Sequence, residues 1–144
     1  TAFTDESLTS WSTLYGMVGP NGTAKRKRSL SVGGKGYELW PDLKVDPRDL
    51  IVEKNRYSAF IQGSSDLEAV LRQRGLDTLL ITGTVTNVCC ESTARDGMML
   101  YFHCVMLADA NAAADEATQS ASLANCLLFF GDVMNVSEMT QRLR

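Results

Sequence analysis

The residues best suited to chemistry lie in one stretch, Gly83-Thr84-Val85-Thr86-Asn87-Val88-Cys89-Cys90-Glu91-Ser92-Thr93. It joins a β-prone apolar run at 78–82 to a helix expected over 87–100. With Asn87 as N-cap, Cys89 falls in the first helical turn. Backbone N–H groups there lack intrahelical partners. The positive end of the helix dipole favours a thiolate. The same N–H groups can hold the oxyanion on a carbonyl attacked by that sulfur. One turn therefore offers a nucleophile and its electrophilic support. The plainer alternative is a small buried core residue, the usual place of a free cysteine. Cys90 lies about 100° further round the helix and is expected to pack against the sheet. Cys104 and Cys126 stand in apolar runs and read as core.

A second candidate is Lys54, which closes the apolar run Leu50-Ile51-Val52. An ammonium at the carboxyl end of a strand can hold a thiolate or orient an acid. An ordinary solvated lysine is the simpler reading. Tyr57 and Phe60 follow in Asn55-Arg56-Tyr57-Ser58-Ala59-Phe60 and either line a pocket or pack. The single histidine, His103, has no Asp or Glu at metal-ligand spacing, and no CxxC pair is present, so no metal site is expected. Asp109 follows a strand and is read as a capping or turn residue. Gly33-Gly34-Lys35-Gly36 lacks the spacing of a phosphate loop.

The elements that must position these groups alternate. A strand is expected at 50–52, a helix at 65–74 with Ser65 as cap, and a strand at 78–82 covered on both faces. The helix at 87–100 comes next, then a strand at 104–108, an Ala-rich helix at 116–129, a short strand at 133–134 and a terminal helix at 137–143 capped by Ser137. This alternation implies an α/β fold, a parallel sheet with helices on both faces. Such sheets bind ligands at the carboxyl ends of their strands. That rule selects 53–57, 83–90 and 109–111.

Residues 1–49 look irregular and form a loop-rich lid or connection. They hold all three prolines and more than half of the eleven glycines, with the basic run Lys25-Arg26-Lys27-Arg28 read as a solvated loop. The whole, 1–144, is taken as a single domain, with 50–144 its regular part. The 144 residues are 44% apolar and 22% charged, as in ordinary globular proteins. A net charge of −3 argues against nucleic-acid or anionic-membrane binding. No apolar run reaches the ~18 residues of a membrane span. Four cysteines without a disulfide pattern suggest reduced thiols and a cytoplasmic setting.

The motifs Lys54-Asn55-Arg56-Tyr57-Ser58-Ala59-Phe60 and Gly83 through Gly97 closely resemble the isochorismatase-like cysteine hydrolase family. The likeness is strongest to its branch acting on carbamoyl compounds, of the ureidoacrylate amidohydrolase and biuret hydrolase type. It extends to Gly36-Tyr37-Glu38-Leu39-Trp40-Pro41, Asp109-Ala110-Asn111-Ala112 and Phe129-Phe130-Gly131-Asp132-Val133, about residues 34–143 in all. The resemblance implies a triad of Asp, Lys and Cys. Cys89 matches the nucleophile and Lys54 the lysine. A cis peptide is implied at Thr84-Val85, with the N–H groups of Val85 and Cys89 forming the oxyanion hole. Tyr57, Phe60 and Asn87 are assigned to substrate. The implied fold is three-layered with a Rossmann-like strand order, 3-2-1-4-5-6.

No aspartate matches the triad's acid, since Asp5, Asp42 and Asp46 lie in polar or proline-flanked contexts. The family's first two strands are also unmatched, which leaves 50–54 without a strand to pair with. The expectation is a truncated or cleaved chain whose natural form continues upstream, or a second chain that supplies those strands. The implied activity is cofactor-free hydrolysis of a small amide or carbamoyl substrate through a thioester-type intermediate, in a homo-oligomer. The alternatives are vinyl-ether hydrolysis of an isochorismate-like acid, a catalytically silent scaffold, and a thiol redox sensor at Cys89 and Cys90.

Overall fold

The computed structural model describes residues 11–143, and the chain divides between Arg56 and Tyr57 into two compact units. In the first unit a helix, α1 (Ser12–Leu30), occupies ground expected to be irregular. Its glycines and proline do not abolish the helix; they divide it. Gly19 takes φ 67°, a left-handed value that suits glycine, and Pro20 opens the second helical piece. There its missing N–H costs nothing. The basic run is therefore helical rather than looped. Lys27 and Arg28 lie in the last turn, where cations offset the negative end of the helix dipole.

Beyond α1 the first unit consists of turns and irregular chain. Asp46 sits in an exposed turn, its carboxylate 2.8 Å from the Arg48 guanidinium. Residues 50–52 do not form the expected strand. Ile51 is 68% exposed. An apolar, β-prone triplet becomes a strand only when a neighbour takes its N–H and C=O groups.

The second unit carries the regular structure. A loop at 57–65 leads into α2 (Leu67–Gln73). Ser65 Oγ accepts the Leu67 N–H at 3.2 Å, close to the expected capping role. Three parallel strands follow in the order β1 (Thr78–Thr84), β2 (His103–Ala112), β3 (Asp132–Met134). A π turn (Thr86–Cys90) and α3 (Glu91–Met99) connect β1 to β2. α4 (Glu116–Phe129) connects β2 to β3, and α5 (Val136–Arg142) ends the chain.

β2 is the central strand and is buried on both faces. Cys104 and Met106 join Cys90, Ala94, Phe102 and Cys126 in a cluster on one face, beneath α3 and α4. Val105 and Leu107 meet Met134 of β3 and Met139 of α5 on the other. Helices thus flank the sheet on both sides, as the alternation predicts. β1 departs from expectation. It is an edge strand among the described residues, with Ile81 buried and Leu80 41% exposed. Alternation is visible in its burial because only one of its faces is packed.

β2 also runs four residues past the predicted end at Ala108. Its register with β1 jumps from Ile81–Met106 to Gly83–Asn111, so 107–110 form a bulge in β2 relative to β1. The buried Asn111 amide closes that gap, donating to the carbonyls of Ile81 (2.8 Å) and Leu107 (2.7 Å). Asp109, inside this segment, accepts the N–H of Val136 at 2.9 Å and so caps the terminal helix rather than an adjacent turn. That helix starts at Val136 with Asn135 and Glu138 as a capping box, so Ser137 is not its cap.

The α4–β3 connection depends on close backbone approach. A Cβ at Gly131 would stand 2.2 Å from the Cys104 carbonyl oxygen, a main-chain atom in the core strand. Gly131→Ala is expected to destabilise the protein by about 1–3 kcal/mol, as overpacking does. Urea denaturation checks this; unchanged stability would show that β2 yields at this point.

Candidate active site

The turn that presents Cys89 begins where β1 stops. The Thr84–Val85 peptide is cis, as the resemblance implies. Val85 is extended (φ −97°, ψ 136°) and serves as the N-cap residue, so the helical turn starts at Thr86 and not after Asn87. The Val85 carbonyl accepts the N–H groups of Val88 (3.1 Å) and Cys90 (3.3 Å). The i to i−5 bond widens this turn into a π form. Asn87 is therefore not the N-cap of this turn. It lines an open groove of about 410 Å³ with Glu91, Thr118, Ser122 and Asn125.

The four thiols have different environments. Cys89 is half-buried, whereas Cys90, Cys104 and Cys126 are buried. Cys90 turns into the core, its sulfur 3.9 Å from the Thr82 carbonyl, as the helical angle predicts. Burial, with the neighbouring Cys126 thiol, pushes Cys104 up to about 11. Burial, then the Glu91 charge, pushes Cys126 up to about 11 as well. Both are thiols at neutral pH and poor nucleophiles.

Two side chains not singled out from the sequence hold the Cys89 turn. The first is Glu91. Its carboxylate accepts from Arg95 (2.5 and 3.0 Å), Asn125 Nδ2 (2.7 Å) and Ser122 Oγ (2.6 Å). It thereby ties the first turn of α3 to α4. Burial pushes its pKa up, but the hydrogen bonds from Ser122, Arg95 and Asn125 outweigh this and hold it below the ordinary value. The Arg95 guanidinium also lies 4.0 Å from the Phe130 ring. The i, i+4 spacing of Glu91 and Arg95 is a signal readable in the sequence; the α4 partners are not. The second is Thr93, whose hydroxyl donates to the Cys89 carbonyl at 2.7 Å.

Of the other predicted residues, Val85 sits at the turn itself. Phe60 goes to the core, its ring 5.2 Å from that of Phe102, which is the packing alternative. Tyr57 is half-buried at the start of the second unit. Lys54 belongs to the first unit, where its ammonium donates to the Arg56 carbonyl at 2.8 Å. His103 opens β2, its N–H bonded to the Asp77 carbonyl. Among the described residues no group of His, Cys, Asp and Glu is placed to hold a metal, and no helix is long and apolar enough to cross a membrane.

The half-buried Cys89 thus stands at a strand-to-helix turn of a parallel sheet flanked by helices. The model of the isochorismatase domain matches residues 10–138, and the chain belongs to that family. Among its relatives is the ureidoacrylate amidohydrolase RutB of Pseudomonas savastanoi pv. phaseolicola, 46% identical over 110 residues, or 76% of this chain and 44% of that protein. The chain thus spans less than half the length of this curated relative. A cysteine hydrolase from Pseudomonas syringae pv. phaseolicola superposes with a TM-score of 0.79 at 34% identity, covering 90% of this chain and 64% of that one. An isochorismatase-like hydrolase from Alkaliphilus metalliredigens gives 0.71 at 33% identity, covering 78% and 61%.

Glu91→Gln is expected to cost about 1–3 kcal/mol at neutral pH, because a partly buried, fully partnered charge is lost. The folded-state pKa of Glu91 is depressed. Its contribution is therefore complete above the unfolded carboxylate pKa and is lost as pH falls through the folded value. The stability gap between wild type and variant should accordingly close in acid. Urea titrations across pH check this, and a gap that persists at acid pH would contradict the assignment.

Proposed function

We propose that the protein hydrolyses a C–N bond in a small ureido or carbamoyl compound, with Cys89 as nucleophile. One observation carries the reading. Cys89 is the half-exposed thiol of the four, at the carboxyl end of a parallel strand, where such sheets bind ligands. The likeness to ureidoacrylate amidohydrolase supports the substrate class.

In this scheme the Cys89 sulfur adds to the carbonyl carbon, and its proton passes to the carboxylate of the Asp-Lys-Cys triad. Lys54 is assigned as the ammonium of that triad; no aspartate of this chain is assigned as its acid. The N–H groups of Val85 and Cys89 receive the oxyanion. The C–N bond then breaks, and the carboxylic acid returns the proton to the departing amine or ammonia. Water attacks the remaining thioester-type carbonyl, the C–S bond breaks, and the thiol is restored. Water is the only co-reactant, so the scheme needs no cofactor.

In the intact protein, Cys89→Ala is expected to abolish amine or ammonia release from ureido substrates. Cys90→Ala should keep most of it, because that sulfur packs in the core. Steady-state assays of both variants decide the matter. Equal losses would contradict the assignment.

A further inference from the structure

The Thr93 hydroxyl makes two bonds of different kinds. A threonine in a helix commonly donates to the carbonyl four residues back, and Thr93 does so to Cys89. Its oxygen also accepts the N–H of Ala59 at 3.3 Å, across 34 residues of chain. Ala59 is a fixed anchor. It is buried, and its carbonyl accepts Ser65 Oγ at 2.7 Å. The neighbouring Ser58 carbonyl accepts the buried Ser64 Oγ at 2.7 Å, and the Phe60 N–H donates to Ser58 Oγ at 3.1 Å. The Phe60 ring rests on Phe102. Hydroxyls and ring packing thus set the 58–65 loop in place. One hydroxyl joins this loop to the main chain of Cys89.

Two residues after Cys89, Glu91 ties the start of α3 to α4. The chain around Cys89 is thus held to two segments, the 58–65 loop and α4. A nucleophile displaced by about 1 Å can lose 10²-fold in rate. We propose that Thr93 is a positioning residue of the active site: its hydroxyl fixes the Cys89 main chain against the 58–65 loop and so aims the sulfur. This rests on Cys89 being the nucleophile. Thr93 does not touch the reacting atoms and acts through the Cys89 carbonyl.

The test compares Thr93→Val, which keeps the shape and removes the hydroxyl, with Thr93→Ser, which keeps the hydroxyl, in the intact protein. Thr93→Ala is the second variant, should Val disturb folding. Hydrogen exchange at the Ala59 amide reads the clamp without any substrate. Thr93→Val and Thr93→Ala should speed that exchange and lower kcat about 10–100-fold, with KM within about threefold. Thr93→Ser should restore both. Faster exchange with wild-type kcat would overturn the positioning role while leaving the nucleophile untouched. Unchanged exchange would overturn the clamp itself. Full turnover by Cys89→Ala would remove the nucleophile reading and this proposal with it.

Discussion

The burial of β2 on both faces is the constraint from which the site follows. Side chains of alternating orientation on this strand enter two separate cores, Cys104 and Met106 on one side and Val105 and Leu107 on the other. A slip of one residue would exchange the two sets and ruin both. The register with β1 is thereby fixed from Thr78–His103 to Ile81–Met106. Beyond the register break Gly83 and Thr84 pair with Asn111 and Ala112, which sets where β1 ends and the turn begins. Met106 and Cys126, both fully buried, leave no room for the α3–α4 layer to shift over the strand.

On this frame the Cys89 turn is assembled from polar bonds rather than apolar area. Val85 collects two N–H groups, Glu91 gathers three partners from α3 and α4, and Thr93 links Cys89 to Ala59. Polar contacts of this kind are directional, so they fix orientation more sharply than hydrophobic packing does. The same layer leaves Cys89 half-open while it raises the thiol pKa values of Cys104 and Cys126. Burial, reinforced by neighbouring groups, keeps Cys104 and Cys126 protonated, while Cys89 is left half-exposed.

Elements with strong local signals were legible in the sequence. Glu116–Phe129 is helical over its expected span because Asp115 caps it, accepting the Thr118 N–H at 2.8 Å, and alanines favour its interior. The placement of Cys89 where a strand gives way to a helix was legible as well, since a β-prone run followed closely by a helical pattern is a local signal. What stayed hidden depends on distant partners. The extension of β2 rests on Asn111 bonding to Ile81, 30 residues away. The loads on Glu91 and Thr93 come from Ser122, Asn125 and Ala59, each 31 to 34 residues off in sequence. Residues 50–52 fail as a strand for the same reason, because β structure is a property of pairs. Local punctuation misled in α1, where Gly19 and Pro20 mark a break between two helical pieces and not a loop.

The central claim is that a single sulfur does the chemistry. The direct measurement treats the intact protein with a chloroacetyl urea, an electrophilic mimic of a ureido substrate, and maps the adduct by peptide mass spectrometry while activity is followed. The account predicts modification at Cys89, in proportion to the activity lost, with Cys90, Cys104 and Cys126 unmodified. Loss of activity with Cys89 unmodified, or full activity with Cys89 modified, would contradict it.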